Sequence, residues 1–186
     1  MSARMPELTR REDVPEEAHH IFDAIVRSRG GVRGPLAVLL HSPEVAARVA
    51  HLGAYLRFES SLPAPDRELA IITSAREIES EYEWASHAPL AREAGVREEV
   101  INIVGRRGNL DELNEREATV VRYTQELLRQ RRISNTVFEA ARRQLGNRGV
   151  MELTATVGYY AMVAYVLFAC EVPPPAGGPR FPRAAQ

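Results

Sequence analysis

The stretch from Met151 to Cys170 is the feature that most limits what this chain can become. It is the one long apolar run, and roughly 20 residues is enough to cross a bilayer as a helix. Glu152, Thr154, Thr156, Gly158 and the tyrosines Tyr159, Tyr160 and Tyr165 interrupt it. Polar and ionisable groups are costly in lipid and acceptable in a protein interior that pairs them. The run therefore reads as a buried core helix, with no membrane partner. Elsewhere no alternating run of β-branched residues bounded by turns appears, so the class is all-α.

Punctuation by Pro, Gly and capping residues divides the rest. A chain of 186 residues suggests one domain. Residues 1–14 read as a loose arm, 15–172 as the helical domain and 173–186 as a Pro/Gly/Arg-rich tail, an arm or disordered. Pro15 starts a helix to about Ser28. After Gly30, Gly31 and Gly34-Pro35, Ser42-Pro43 opens a helix to about Ser60. Helices follow over about Asp66–Ile78 and Glu81–Ala94, the second stopped by Gly95. A short helix from Val96 ends at Gly105. Asn114 and Glu117 form a capping box for a helix to about Gln130. Ser134 caps another that ends at Gly146, and 149–170 is the apolar helix. The count is about seven to eight helices.

Composition removes several chemistries. The 24 basic residues are all Arg. Without Lys there is no Schiff base and no phosphate-loop lysine. Cys170 is the single cysteine, so no intrachain disulfide, no CxxC pair and no multi-cysteine zinc site can form. The net charge of -1 offers no field for nucleic acid. The N-terminus lacks a secretory apolar stretch, and the expectation is a cytoplasmic protein.

Chemistry concentrates in one segment. Glu83 and His87 are four apart and share a helix face. A carboxylate beside an imidazole fixes and tunes it for acid/base work. Glu68, on the preceding helix, meets His87 if the two helices form a tight hairpin. Plainer readings stand beside this one. Ser80-x-x-Glu83 is also a capping box, and Glu83 with His87 is also an ordinary surface pair. Trp84 suits the core, and buried tyrosines need only a satisfied hydroxyl. Glu68, Glu83 and His87 are also an acceptable metal-ligand set, which leaves a metal-assisted hydrolase as an alternative. His41 and His51 read as structural, His19 and His20 as solvent-facing. The Arg runs at 106–107, 129, 131–132 and 142–143 read as solvated faces or salt bridges. One of them could hold a substrate carboxylate, and the sequence does not choose which.

The entry Leu39-Leu40-His41-Ser42-Pro43-Glu44, the pair Arg67-Glu68, the core Tyr82-Glu83-Trp84-x-x-His87 and the ending Ala91-x-x-x-Gly95-Val96 together resemble the carboxymuconolactone decarboxylase superfamily, over about Leu36 to Leu167. The resemblance implies a helical bundle of the alkylhydroperoxidase D-like type. In the redox branch a Glu precedes a Cys-x-x-Cys pair, with a His four residues after the second Cys. Here Glu68 matches the relay Glu, Ser80 and Glu83 replace the two Cys, and His87 matches the His. Thiol peroxidase chemistry needs a thiolate, so none is expected. The thiol-free branch implies a cofactor-independent lyase, isomerase or hydrolase for a small carboxylated or lactone-like molecule. His87 would be the acid/base, with Glu68 and Glu83 relaying protons. Backbone N–H groups at the start of the 81–94 helix would bind an oxyanion. Tyr82, Trp84, Tyr159 and Tyr160 would wall the pocket. Glu83 departs from the decarboxylase pattern too, and a carboxylate there repels an anionic substrate unless protonated or paired. The superfamily also implies a homotrimer or homohexamer. A non-catalytic binding or interaction protein on the same fold is the alternative.

Overall fold

The computed structural model describes residues 3–182. Among them are eight α-helices and no strand: α1 His19–Arg29, α2 Pro35–Leu39, α3 Pro43–Ala54, α4 Ala64–Ile78, α5 Glu81–Glu93, α6 Glu98–Arg106, α7 Glu115–Gln130 and α8 Asn135–Cys170. The all-α expectation holds. The chain divides into two compact units. One runs up to Ser60 and includes Met162–Pro173; the other holds Ser61–Ala161 and the chain from Pro174.

In the first unit, Ile21, Phe22 and Ile25 form the buried stripe of α1, spaced as a helix face requires. Helices α1 and α2 both pack on α3. Pro35 and Pro43 each sit in a first turn, where the missing N–H costs nothing. The segment read as a loose arm is tied down over its described part. Arg4 N–H donates to the Cys170 carbonyl at 2.7 Å, Leu8 N–H donates to the Ala37 carbonyl at 3.1 Å, and Val14 is buried. His19 and His41 each place Nε2 2.9 Å from a backbone carbonyl, those of Val14 and Pro6. For His19 this corrects the solvent-facing expectation.

The second unit is built around α4, which packs on α5, α6 and α7. Its inner face supplies Leu69, Ala70, Ile72 and Ala75 to a core shared with Val100, Val104, Val120, Val121, Leu153 and Val157. Two ion pairs clasp α4 to α7. Buried Asp66 accepts from Arg116 Nε and Nη2 at 2.9 and 2.6 Å. Glu77 accepts from Arg129 Nε and Nη2, both at 2.6 Å. Hydrogen bonding to these carboxylates raises the pKa of both guanidinium groups. Start pairs with start and end with end, so the two helices run parallel.

The apolar run packs one face into the core, and there Glu152, Thr154 and Thr156 find protein partners. Buried Glu152 accepts from the backbone and hydroxyl of Ser61 at 2.8 and 2.5 Å and from Arg148 Nε at 3.0 Å. Thr154 Oγ1 lies 2.7 Å from the Tyr123 hydroxyl, and Thr156 donates to the Glu152 carbonyl at 2.8 Å. Helix α8 joins the two helices expected on either side of Gly146. That residue alone leaves helical geometry, at φ 69° and ψ 174°, a conformation essentially reserved for glycine.

Gly105 was expected to end its helix. It lies inside α6 instead, and Arg107 at φ 54° is the cap. A Cβ on Gly105 would stand 2.4 Å from Pro182 Cδ and 3.0 Å from Trp84 Cη2. The glycine makes room for the tail. The tail was read as an arm or disordered; its described part packs on this unit. Trp84 Nε1 donates to the Arg180 carbonyl at 3.2 Å, and the Trp84 and Phe181 ring centroids are 5.2 Å apart. The Arg76 guanidinium sits 4.7 Å from the Phe181 ring centroid and donates from Nε to the Gly105 carbonyl at 2.6 Å. Residues 183–186 lie outside the described residues. Gly105→Ala is therefore expected to displace Phe181 and Pro182 at a cost of about 1–3 kcal/mol. The emission of Trp84, the only tryptophan, should shift to longer wavelength.

Candidate active site

A two-residue connection turns α4 into α5. Glu79 takes the left-handed conformation at φ 62°, and Ser80 caps the new helix by accepting from Glu83 N–H at 3.4 Å. The turn folds α5 back along α4 and brings Glu68 to His87. His87 Nδ1 lies 2.8 Å from Glu68 Oε2. A carboxylate only accepts, so Nδ1 carries the proton. On the other edge of the ring, Nε2 is 3.7 Å from Glu83 Oε2, one helical turn away. That distance is an ion-pair contact and longer than a hydrogen bond.

All three groups are withdrawn from solvent: His87 is 6% exposed, and Glu68 and Glu83 are each 4%. This removes the surface-pair reading of Glu83 and His87. Burying a charge costs several kcal/mol unless it is paired, and here the charges pair with one another. A fourth group joins them. Arg67 Nε is 3.6 Å from Glu68 Oε1, and its side chain is 16% exposed.

Tyr160 packs edge-on against the His87 ring at 4.9 Å and 83°, and Tyr159 packs against Tyr160 at 5.3 Å. Tyr82 is half-buried in the first turn of α5. Trp84 is placed elsewhere, 1% exposed in the core cluster and bonded to the tail. Among the described residues no group of three His, Cys, Asp or Glu side chains could hold a metal ion. This corrects the metal-ligand alternative for Glu68, Glu83 and His87. The two carboxylates face opposite nitrogens of one ring, so their oxygens do not converge on a point.

Sequence reasoning gave Arg67 no role. Adjacent residues of a helix do not face each other, so nothing in the pattern placed it beside Glu68. It did not find the hold of the tail on Trp84 either, because a Pro/Gly-rich end carries no periodicity.

Residues 43–126 match the model of the Carboxymuconolactone decarboxylase family, a span that contains Glu68, Glu83 and His87. Over those residues the chain is similar to that family. Its fold is shared with solved structures of low sequence identity. An uncharacterized peroxidase-related protein with an alkylhydroperoxidase AhpD core, from Ralstonia eutropha JMP134, is 14% identical, with a TM-score of 0.76 over 95% of this chain and 94% of that one. A cysteine-to-alanine variant of the debrominase Bmp8, in complex with 2,3,4-tribromopyrrole, is 13% identical, with a TM-score of 0.74 over 94% and 95%. An uncharacterized peroxidase-related protein from Silicibacter sp. TM1040 is 18% identical, with a TM-score of 0.72 over 91% of both chains. Among curated proteins none matches significantly. At these identities the neighbours speak for the fold alone and leave the reaction to the site.

Proposed function

We propose that this protein is an acid/base enzyme for a small carboxylated or lactone-like molecule, working through proton transfer and without a thiol. The observation that carries this reading is the His87 ring, buried between two carboxylates with Nδ1 committed to Glu68. An imidazole held by a carboxylate is an arrangement that general acid/base catalysis uses. Glu68 would hold the ring and its tautomer, as a carboxylate behind a catalytic imidazole does. Nε2 is the edge left for proton traffic, and Glu83 is placed to exchange that proton. Tyr82, Tyr159 and Tyr160 would wall the pocket, and Trp84 is read as core.

For a carboxylated unsaturated lactone the step would run as follows. The bond between ring carbon and carboxylate breaks, carbon dioxide leaves, and the electron pair spreads into a dienolate. The imidazolium of His87 then delivers a proton to carbon, the double bond shifts, and solvent restores the proton through Glu83. An imidazolium beside the developing negative charge stabilises it.

The test is the ultraviolet loss of 4-carboxymuconolactone with wild-type protein and with His87→Ala. Turnover that vanishes in the variant supports the reading and the role of His87. Turnover that survives in the variant removes His87 from the chemistry. Absence of turnover in the wild type removes lactone decarboxylation and favours a binding role on the same fold.

A further inference from the structure

We infer that Arg67 is the anion-binding residue of this centre, and that it holds a substrate carboxylate which stays in place through the reaction. The inference rests on the acid/base reading of Glu68, Glu83 and His87.

Arg67 Nε is buried and makes no hydrogen bond. Its contact with Glu68 Oε1, at 3.6 Å, is beyond hydrogen-bond reach, and the other Glu68 oxygen is held by His87. A buried donor without an acceptor is costly. The neighbouring ion pairs do not relieve it. Asp66, the residue before it, is taken by Arg116, and Glu77 is taken by Arg129. The Nε–H of Arg67 thus stands beside Glu68 without an acceptor. A planar fork of donors matches a carboxylate.

Arg67 brings a positive charge to the centre, which an incoming carboxylate can meet. The low exposure of the side chain, 16%, protects its field from screening by salt. Finally, an ion pair to a carboxylate about to leave as carbon dioxide would stabilise the ground state over the transition state. The group held by Arg67 is therefore one that remains, so the substrate class is a carboxylate whose reacting carbon lies elsewhere, or a dicarboxylate.

The experiment is calorimetric titration of the full chain with cis,cis-muconate, its dimethyl ester and inorganic phosphate. Wild type is expected to bind muconate at least about tenfold more tightly than the ester or phosphate. Arg67→Gln should lose that preference and leave ester binding unchanged, and Arg67→Lys should recover part of it. Melting and Trp84 emission check that the variants fold. If Arg67→Gln does not fold, Arg67→Lys alone decides, with several-fold weaker muconate binding expected. Equal muconate binding by a folded Arg67 variant, equal binding of acid and ester by wild type, or no muconate binding by wild type overturns the inference. Muconate binding that depends on Arg67, in a protein that turns over no lactone, upholds it while the acid/base reading falls. Lactone turnover with unchanged KM in Arg67→Gln does the reverse.

Discussion

Glu68→Gln lowers kcat to the level of His87→Ala, an expected loss of about 10²–10⁴-fold, and the double variant falls no further. Residues that act as a unit are not additive, and the 2.8 Å contact between Glu68 Oε2 and His87 Nδ1 makes these two a unit. The substitution keeps the size of the side chain and changes one thing. A carboxylate can only accept, so it requires a proton on Nδ1 and turns Nε2 toward Glu83. An amide can turn its NH₂ to Nδ1 and trap the opposite tautomer, with the proton on Nε2. The loss should therefore fall on kcat, with KM little changed. Glu68→Asp, which keeps the charge on a shorter arm, should recover part of the rate. A Glu68→Gln enzyme with wild-type kcat would show that the carboxylate only fills space.

Much of the frame was legible in the sequence because local rules decided it. Asn114 and Glu117 form both halves of their capping box, and Ser80 caps α5 as its position suggested. The turn at Glu79-Ser80 is short enough that Glu68 and His87 could be expected to meet, and they do. The errors share one cause, which is contact between residues far apart in the chain. Gly105 resembles a helix stop in one dimension. Its reason for being glycine is Pro182, which no local pattern reveals. The arm and the tail lack apolar periodicity, yet each is held by backbone carbonyls and a few side chains of its own unit. Arg67 is the same kind of miss at the site. Its neighbour in sequence was read as a candidate proton relay, but its own place beside that carboxylate depends on side-chain direction, which spacing does not encode. Glu83 was ambiguous between helix cap, surface partner and proton relay, and only its burial reduced the choice.

The same distinction gives the largest expected change in stability. Trp84→Ala should destabilise the protein by about 3–5 kcal/mol, a fifth or more of what a domain of this kind usually has in reserve, roughly 5–15 kcal/mol. Trp84 is the largest fully buried side chain, it lies in the core cluster, and its indole is the seat on which Phe181 and the Arg180 carbonyl rest. Truncation opens a cavity and releases the tail together, and the rigid α4–α5 hairpin has little freedom to close it. Trp84→Phe keeps most of the volume and gives up the Nε1–H bond, so about 1–2 kcal/mol is expected. Denaturant unfolding followed by far-ultraviolet circular dichroism measures both, since the only tryptophan is gone. Catalysis separates core from pocket. If Trp84 belongs to the core, Trp84→Phe leaves kcat and KM within about twofold of wild type, because the change is spent on folding and not on the transition state. A tenfold rise in KM without loss of stability would instead put the indole in the pocket wall, and Tyr159 and Tyr160 would share that wall with it.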